Sequence, residues 1–257
     1  MFRKLALSLA ILGAIGAQAH AQTVDEIIAK NIQAQGGIEK IKSHKSIRMT
    51  GTLDAGGGIL LPIILTALQP NHIRIEFTVQ GLTGIVAYDG ANAWQVIPFT
   101  GKKDPEPMDE DGRKELAYES DLTGPLVDYK EKGNKVELVG KEPVEGSDAY
   151  KLKVTLKNGD IHYIFLDADS YLQIQESSKS VVRGTEQTTK STAGDYKEVD
   201  GQLFPFSVST VVEGGSGAPG QDRKIKLDKI EVNVPADPSL FKMPTVKAEA
   251  KPEEKKP

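Results

Sequence analysis

No cysteine occurs among the 257 residues. That excludes disulfide bracing. It also excludes the acylated cysteine by which a bacterial lipoprotein is anchored. Histidine is scarce: besides His20 there are only His44, His72 and His162, widely separated and without a second ligand at metal spacing. No GxSxG, P-loop, HExxH or helix-opening GxGxxG pattern is present. No apolar run reaches the roughly 20 residues a membrane-spanning helix needs. The common routes to nucleophilic, metal-dependent and nucleotide-dependent chemistry therefore lack their residues. The expectation is a protein that is not an enzyme, with no catalytic residue, no metal and no cofactor.

The chain opens with an export signal. Met1-Phe2-Arg3-Lys4 is positively charged, residues 5–17 carry no charge, and Ala19-His20-Ala21 fits a small-x-small cleavage site before Gln22. Residues 1–21 are read as a cleavable signal peptide, and the mature chain as a soluble periplasmic protein. Losing Arg3 and Lys4 leaves 30 Lys and Arg against 36 Asp and Glu. An acidic balance argues against nucleic acid or an anionic membrane as the main partner.

Thr23-Val24-Asp25-Glu26 is a capping box. Val24, Ile27, Ile28 and Ile32 follow at helical spacing, and Gly36-Gly37 ends that helix. Ile38 and Ile41 mark a second short turn of helix, to about Ser43. The period then becomes two. Ile73, Ile75, Phe77 and Val79 alternate with His72, Arg74, Glu76 and Thr78, and Tyr150, Leu152, Val154 and Leu156 with lysines and Thr155. Ile161, Tyr163 and Phe165 alternate with His162 and Ile164. Asn158-Gly159, Asp89-Gly90 and Asp200-Gly201 are turn signals. About a dozen hairpin-linked strands are expected, forming one large antiparallel sheet or barrel. Residues 101–127, with Pro105, Pro107 and an acidic run, read as an inserted loop and helix (113–118). His72, Arg74 and Glu76 share a strand face that reads as solvated, and Asp167 and Asp169 as a strand-connecting turn. Gly214 to Gly220 reads as a hairpin tip, and residues 247–257 as a disordered charged tail.

One segment resists a simple strand reading. Residues 59–65, Ile-Leu-Leu-Pro-Ile-Ile-Leu, are apolar on both faces. Pro62 suggests an edge or a bulge. Such a strand needs apolar cover on two sides, from a helix and a loop or from a cavity. The expected cavity wall comprises Ile59, Leu61, Ile63, Leu65, Ile73, Ile75, Phe77, Trp94, Tyr150, Leu152, Tyr163 and Phe165.

Several phrases, in order, resemble one family. They are the opening helix with Gly36-Gly37 and Ile47-Arg48-Met49-Thr50-Gly51, then Ala87-Tyr88-Asp89-Gly90-Ala91-Asn92-Ala93-Trp94. Next come Tyr150 to Leu156 with Ile164-Phe165-Leu166-Asp167, and Gly194-Asp195-Tyr196 through Asp200-Gly201 with Phe204-Pro205. Last is Asp237-Pro238-Ser239-Leu240-Phe241-Lys242-Met243-Pro244. In this order they resemble the LolA-like periplasmic lipoprotein carriers. The resemblance implies an α+β fold: a strongly curved antiparallel half-barrel of 11–12 strands, its concave face covered by the N-terminal helix and the inserted helical segment. It implies one carrier domain over residues 22–246. It also implies a monomer that binds acyl chains of lipoproteins or other lipids, received from an inner-membrane exporter and passed to an outer-membrane acceptor. The family's lid-holding arginine is not assigned; Arg48 and Arg74 both lie in expected strands. The alternative is an envelope binding or sensor module that recognises a protein partner and transports nothing.

Overall fold

A computed structural model describes residues 22–56, 58–182, 185–214 and 222–245. Residues 1–21, read as a signal peptide, most of 214–220, read as a hairpin tip, and 247–257, read as a charged tail, lie outside the described residues. Thr23 caps helix α1 (Val24–Ala34), and the capping box closes in both directions. Asn31 fastens this helix: it is buried, its Nδ2 donates to the Tyr171 carbonyl at 2.7 Å, and its Oδ1 accepts from Gln35 Nε2 at 2.8 Å. A buried amide satisfied at both ends costs little, whereas an orphaned one costs about 1–3 kcal/mol. Gly36 then turns the chain into α2 (Ile38–Ser43) with φ near +118°. A Cβ there would lie 2.1 Å from the Gly201 carbonyl oxygen, so the turn packs directly on a hairpin of the sheet.

The strands are β1 (Ser46–Asp54), β2 (Leu60–Leu68), β3 (His72–Val79), β4 (Leu82–Tyr88), β5 (Ala93–Ile97) and β6 (Lys102–Pro107). After helix α3 (Glu110–Glu119) come β7 (Lys135–Val144), β8 (Ser147–Thr155), β9 (Ile161–Asp167) and β10 (Gln173–Val182). The last are β11 (Thr185–Val199), β12 (Gln202–Gly214) and β13 (Arg223–Val232). All thirteen form one sheet in the order β6-β5-β4-β3-β2-β1-β13-β12-β11-β10-β9-β8-β7. Each neighbouring pair is antiparallel. Two meanders therefore meet at β1 and β13, and the sheet remains open as a curved half-barrel. Residues 108–134, which include α3, carry the chain from one free edge to the other. This is the expected α+β half-barrel with one more strand. The extra strand is β6, where Pro105 and Pro107 had suggested a loop; an edge strand tolerates proline because half its N–H groups need no partner. The acidic residues after it serve α3, whose first turn is capped by Asp109 accepting from Gly112 N–H at 2.9 Å.

Pro62 sits where β2 is paired on one side only: it stands opposite Thr52 of β1 and has no partner in β3, so it occupies a local edge within an otherwise interior strand. β2 lies between β1 and β3, and Pro62 sits one residue before the first β2 residue paired to β3, Ile63. The central seam has its own constraint. The β1–β13 register shifts between Thr50 and Gly51, and a Cβ on Gly51 would lie 2.2 Å from the Lys226 carbonyl oxygen. The clashing atom is backbone in a paired strand and cannot swing aside. Gly51→Ala is expected to lower stability by about 1–3 kcal/mol, the usual cost of overpacking. A shift of the urea midpoint with an unchanged slope checks this.

Candidate functional site

Residues directly opposite one another in a ladder share a face. On one face, Ile47, Ala67, Ile73 and Tyr88 form a row across β1 to β4. Met49, Leu65, Ile75 and Val86 form the next, followed by Gly51, Ile63, Phe77 and Gly84. Leu53 and Leu61 complete the face on β1 and β2, and β13 and β12 continue it with Ile230, Leu227, Ile225 and Val208. Leu116 of α3 buries the first row. Beyond it the cover thins: Met49, Leu53, Leu61, Leu65, Ile75, Phe77, Val86, Val208 and Ile225 are only half-buried. This inner face is an apolar trough that the helix does not fill.

The other half of the same face differs. Tyr150, Leu152, Val154, Ile164 and Leu166 are buried beneath Ile27 and Ile28 of α1. Further along the strands the inner face turns polar, with His162, Glu176, Ser178, Thr189, Ser191 and Thr210 in register. Tyr118 of α3 docks on this half. Its ring stacks on His162 at 4.2 Å, and its hydroxyl donates to Glu176 Oε1 at 2.7 Å. His162 Nδ1 lies 2.7 Å from that same oxygen. Leu116 and Tyr118 lie two positions apart, on opposite sides of α3, so the helix bridges the apolar and polar halves.

Burial and the Glu176 carboxylate push the Tyr118 phenol well above its ordinary value. The neighbouring Glu119 carboxyl is raised to about 7, first by desolvation among its neighbours, then by Glu115 and Glu176. Its side chain still touches solvent, as a group does on the wall of an open hollow. Among the described residues, no set of three or more His, Asp or Glu converges as metal ligands would. Two hollows lie elsewhere. One, of about 390 Å³, adjoins β6 between Gln95 and Asp109; the other, of about 240 Å³, lies between α1 and residues 126–131.

The twelve expected wall residues divide. Leu61, Ile63, Leu65, Ile73, Ile75 and Phe77 share the inner face, although Ile73 lies beneath α3 with the core. Ile59 stands exposed in the turn before β2. Tyr150 and Leu152 share the face but are core beneath α1. Trp94, Tyr163 and Phe165 are on the opposite, outer face. Trp94 is sealed by the segment 238–241, with Nε1 donating to the Phe241 carbonyl at 2.7 Å. Phe165 packs with Val144 and Ala149, and the Lys151 ammonium lies 5.2 Å from its ring. β9 has apolar residues on both faces, so its alternation could not say which side α1 would cover.

His72, Arg74 and Glu76 share the outer face, but it is not simply solvated. Arg74 pairs with Glu76 at 2.6 Å and donates to the Leu240 carbonyl at 3.1 Å, while His72 meets the Phe241 ring edge-on at 5.2 Å. Arg48 shares that outer face, in register with Thr66 and Arg74, so neither arginine faces α3. Tyr118, Glu119 and Glu176 were not singled out from sequence. The readable signal was the capped, Glu-rich helix carrying one aromatic residue.

Because the Glu119 carboxyl is raised in the folded chain, its contribution to stability is fully present below the ordinary glutamate value of 4.5 and is lost as pH rises through about 7. Glu119→Gln is expected to unfold at higher urea than the parent at about pH 8, with the difference narrowing or reversing near pH 5. Equal midpoint differences at both pH values would contradict the placement of this carboxyl.

No family model matches the chain, and no curated protein matches it in sequence. Solved structures do match in shape. A LolA superfamily protein from Nitrosomonas europaea superposes with a TM-score of 0.57 at 11% identity, over 86% of this chain and 98% of that one. A domain from Vibrio parahaemolyticus assigned to the outer membrane lipoprotein-sorting proteins gives 0.55 at 12% identity, over 84% and 94%. A DUF1329 family protein from Desulfovibrio piger also gives 0.55 at 12%, over 86% and 98%. At these identities the likeness is one of fold, and the fold of this chain is LolA-like.

Proposed function

We propose that the protein is a soluble periplasmic carrier that seats acyl chains of lipoproteins or other lipids in the apolar half of the trough, for transfer toward the outer membrane. One observation carries the reading. A covered sheet face should be filled by side chains to close-packed density, yet here Met49, Leu53, Leu61, Leu65, Ile75, Phe77, Val86, Val208 and Ile225 stay half-exposed on the face that α3 covers. Each CH₂ moved from water onto such a surface contributes about 0.8 kcal/mol, so one acyl chain is ample to drive occupancy. The wall residues are Leu61, Ile63, Leu65, Ile75 and Phe77 of the original set, joined by Met49, Leu53, Val86, Val208 and Ile225. The LolA-like fold and the sorting-protein assignment of one neighbour support lipoprotein cargo. The signal-like N-terminus and the absence of cysteine support a periplasmic protein without a lipid anchor of its own.

Native mass spectrometry of protein recovered from the cell envelope is expected to show bound lipid. Consistent absence of lipid, together with no displacement of a fluorescent acyl probe, would sink the proposal. A charge in the strip provides a second test. Leu61→Asp and Leu65→Asp are each expected to weaken probe binding about tenfold or more, by placing a carboxylate against the chain, with the circular dichroism spectrum retained.

A further inference from the structure

The β1–β2, β3–β4 and β5–β6 connections, with described residues 55–56, 58–59, 80–81 and 98–101, all lie at one end of the sheet. This end carries Ile59, Leu60, Leu82 and Phe99, all more than a third exposed and all at turns or at the first residue of a strand. Water-facing turns are ordinarily polar, so four large apolar side chains on three adjacent turns call for a partner. Phe99 links this rim to the trough. Its ring meets Phe77 edge-on at 5.7 Å, and both crowd the space where Gly84 lacks a Cβ. An apolar path thus runs from the rim along Phe77 to Ile63 and Leu65.

The rim also carries cations. Lys102 and Lys103 follow the Phe99 turn directly. Lys224 stands across Asp54 from Leu60 in the ladder. Asp54 is itself engaged, accepting from the Gly56 N–H at 2.9 Å, and Lys102 pairs with Glu106 at 2.9 Å. Apolar tips flanked by lysines suit an interface where the tips enter the acyl boundary and the ammonium groups stay with phosphates. A protein partner would need a packed, complementary apolar centre. A bilayer accepts side chains presented on several turns at any spacing.

We propose that this rim docks the protein on a lipid bilayer, with Ile59, Leu60, Leu82 and Phe99 in the acyl boundary and Lys103 and Lys224 at lipid phosphates. The inference rests on the carrier reading: the membrane is where the trough gains or loses its cargo. Acidic Asp54 and Asp104 offset much of the local positive charge, so apolar insertion carries the attachment.

Co-sedimentation with vesicles of phosphatidylethanolamine and phosphatidylglycerol tests this. The parent protein is expected to bind, and to keep a measurable part of that binding in high salt. Leu60→Ser/Leu82→Ser is expected to bind vesicles about tenfold to a hundredfold more weakly, from two leucines left in water, while its affinity for a soluble acyl probe stays unchanged. No vesicle binding by the parent overturns the proposal. So does unchanged binding by the double variant, binding abolished by salt alone, or equal loss of probe affinity. A parent that binds vesicles but no acyl probe would leave the rim standing and remove the carrier reading.

Discussion

The architecture depends on the pairing of β1 with β13. These are the first and last strands of the sheet, and every other ladder joins strands consecutive along the chain. Without this one long-range pairing there would be two separate meanders, with β1 and β13 as additional unpaired edges. Pairing of this kind carries a large loop-closure cost, so the contact must be both close and apolar. Gly51 supplies the closeness, since its missing Cβ lets the Lys226 backbone approach. Ile47, Leu227 and Ile230 supply the apolar contact within the larger core cluster.

Joining the meanders leaves β6 and β7 as free edges on opposite sides of the mouth, and the chain must cross between them. The crossing puts α3 over the inner face. Leu116 turns to the apolar half, and Tyr118 to His162 and Glu176 on the polar half. A helix so placed buries the first row of apolar side chains and leaves several in the later rows, Met49, Leu65, Ile75 and Phe77 among them, half-exposed. The same arrangement sets the Glu119 carboxyl beside Glu115 and Glu176, where partial desolvation and these acidic neighbours favour its protonated form. The outer face is organised separately. The 238–241 segment seals Trp94 through an indole hydrogen bond, and Arg74 holds the adjoining Leu240 carbonyl.

Much of this was legible in the chain. The capping box located α1, period-two alternation located the strands, and Gly36-Gly37 marked the turn onto the sheet. β6 was missed because its two prolines read as loop, and an edge position, which makes prolines tolerable, is a property of the sheet and not of the segment. The site was half legible. Leu61, Ile63, Leu65, Ile75 and Phe77 share the inner face because adjacent strands in register preserve alternation. Trp94, Tyr163 and Phe165 were grouped with them because apolar residues look inward-facing wherever they occur. Both sheet faces carry apolar cover here, and the identity of the cover depends on which distant segment arrives.

The sequence by itself determined that the strands would pair antiparallel, where many of their turns fall, and that no cysteine is present among these 257 residues. Those properties are local, or follow from a missing atom type. Only the tertiary structure decided which side of each strand became the inner wall, that α3 spans its two halves, and that an apolar strip beside it stays open. A period of two names the two faces of a strand but assigns neither. The assignment comes from β1–β13 closure and from the paths of α1, α3 and the C-terminal segment, contacts between residues far apart in the chain.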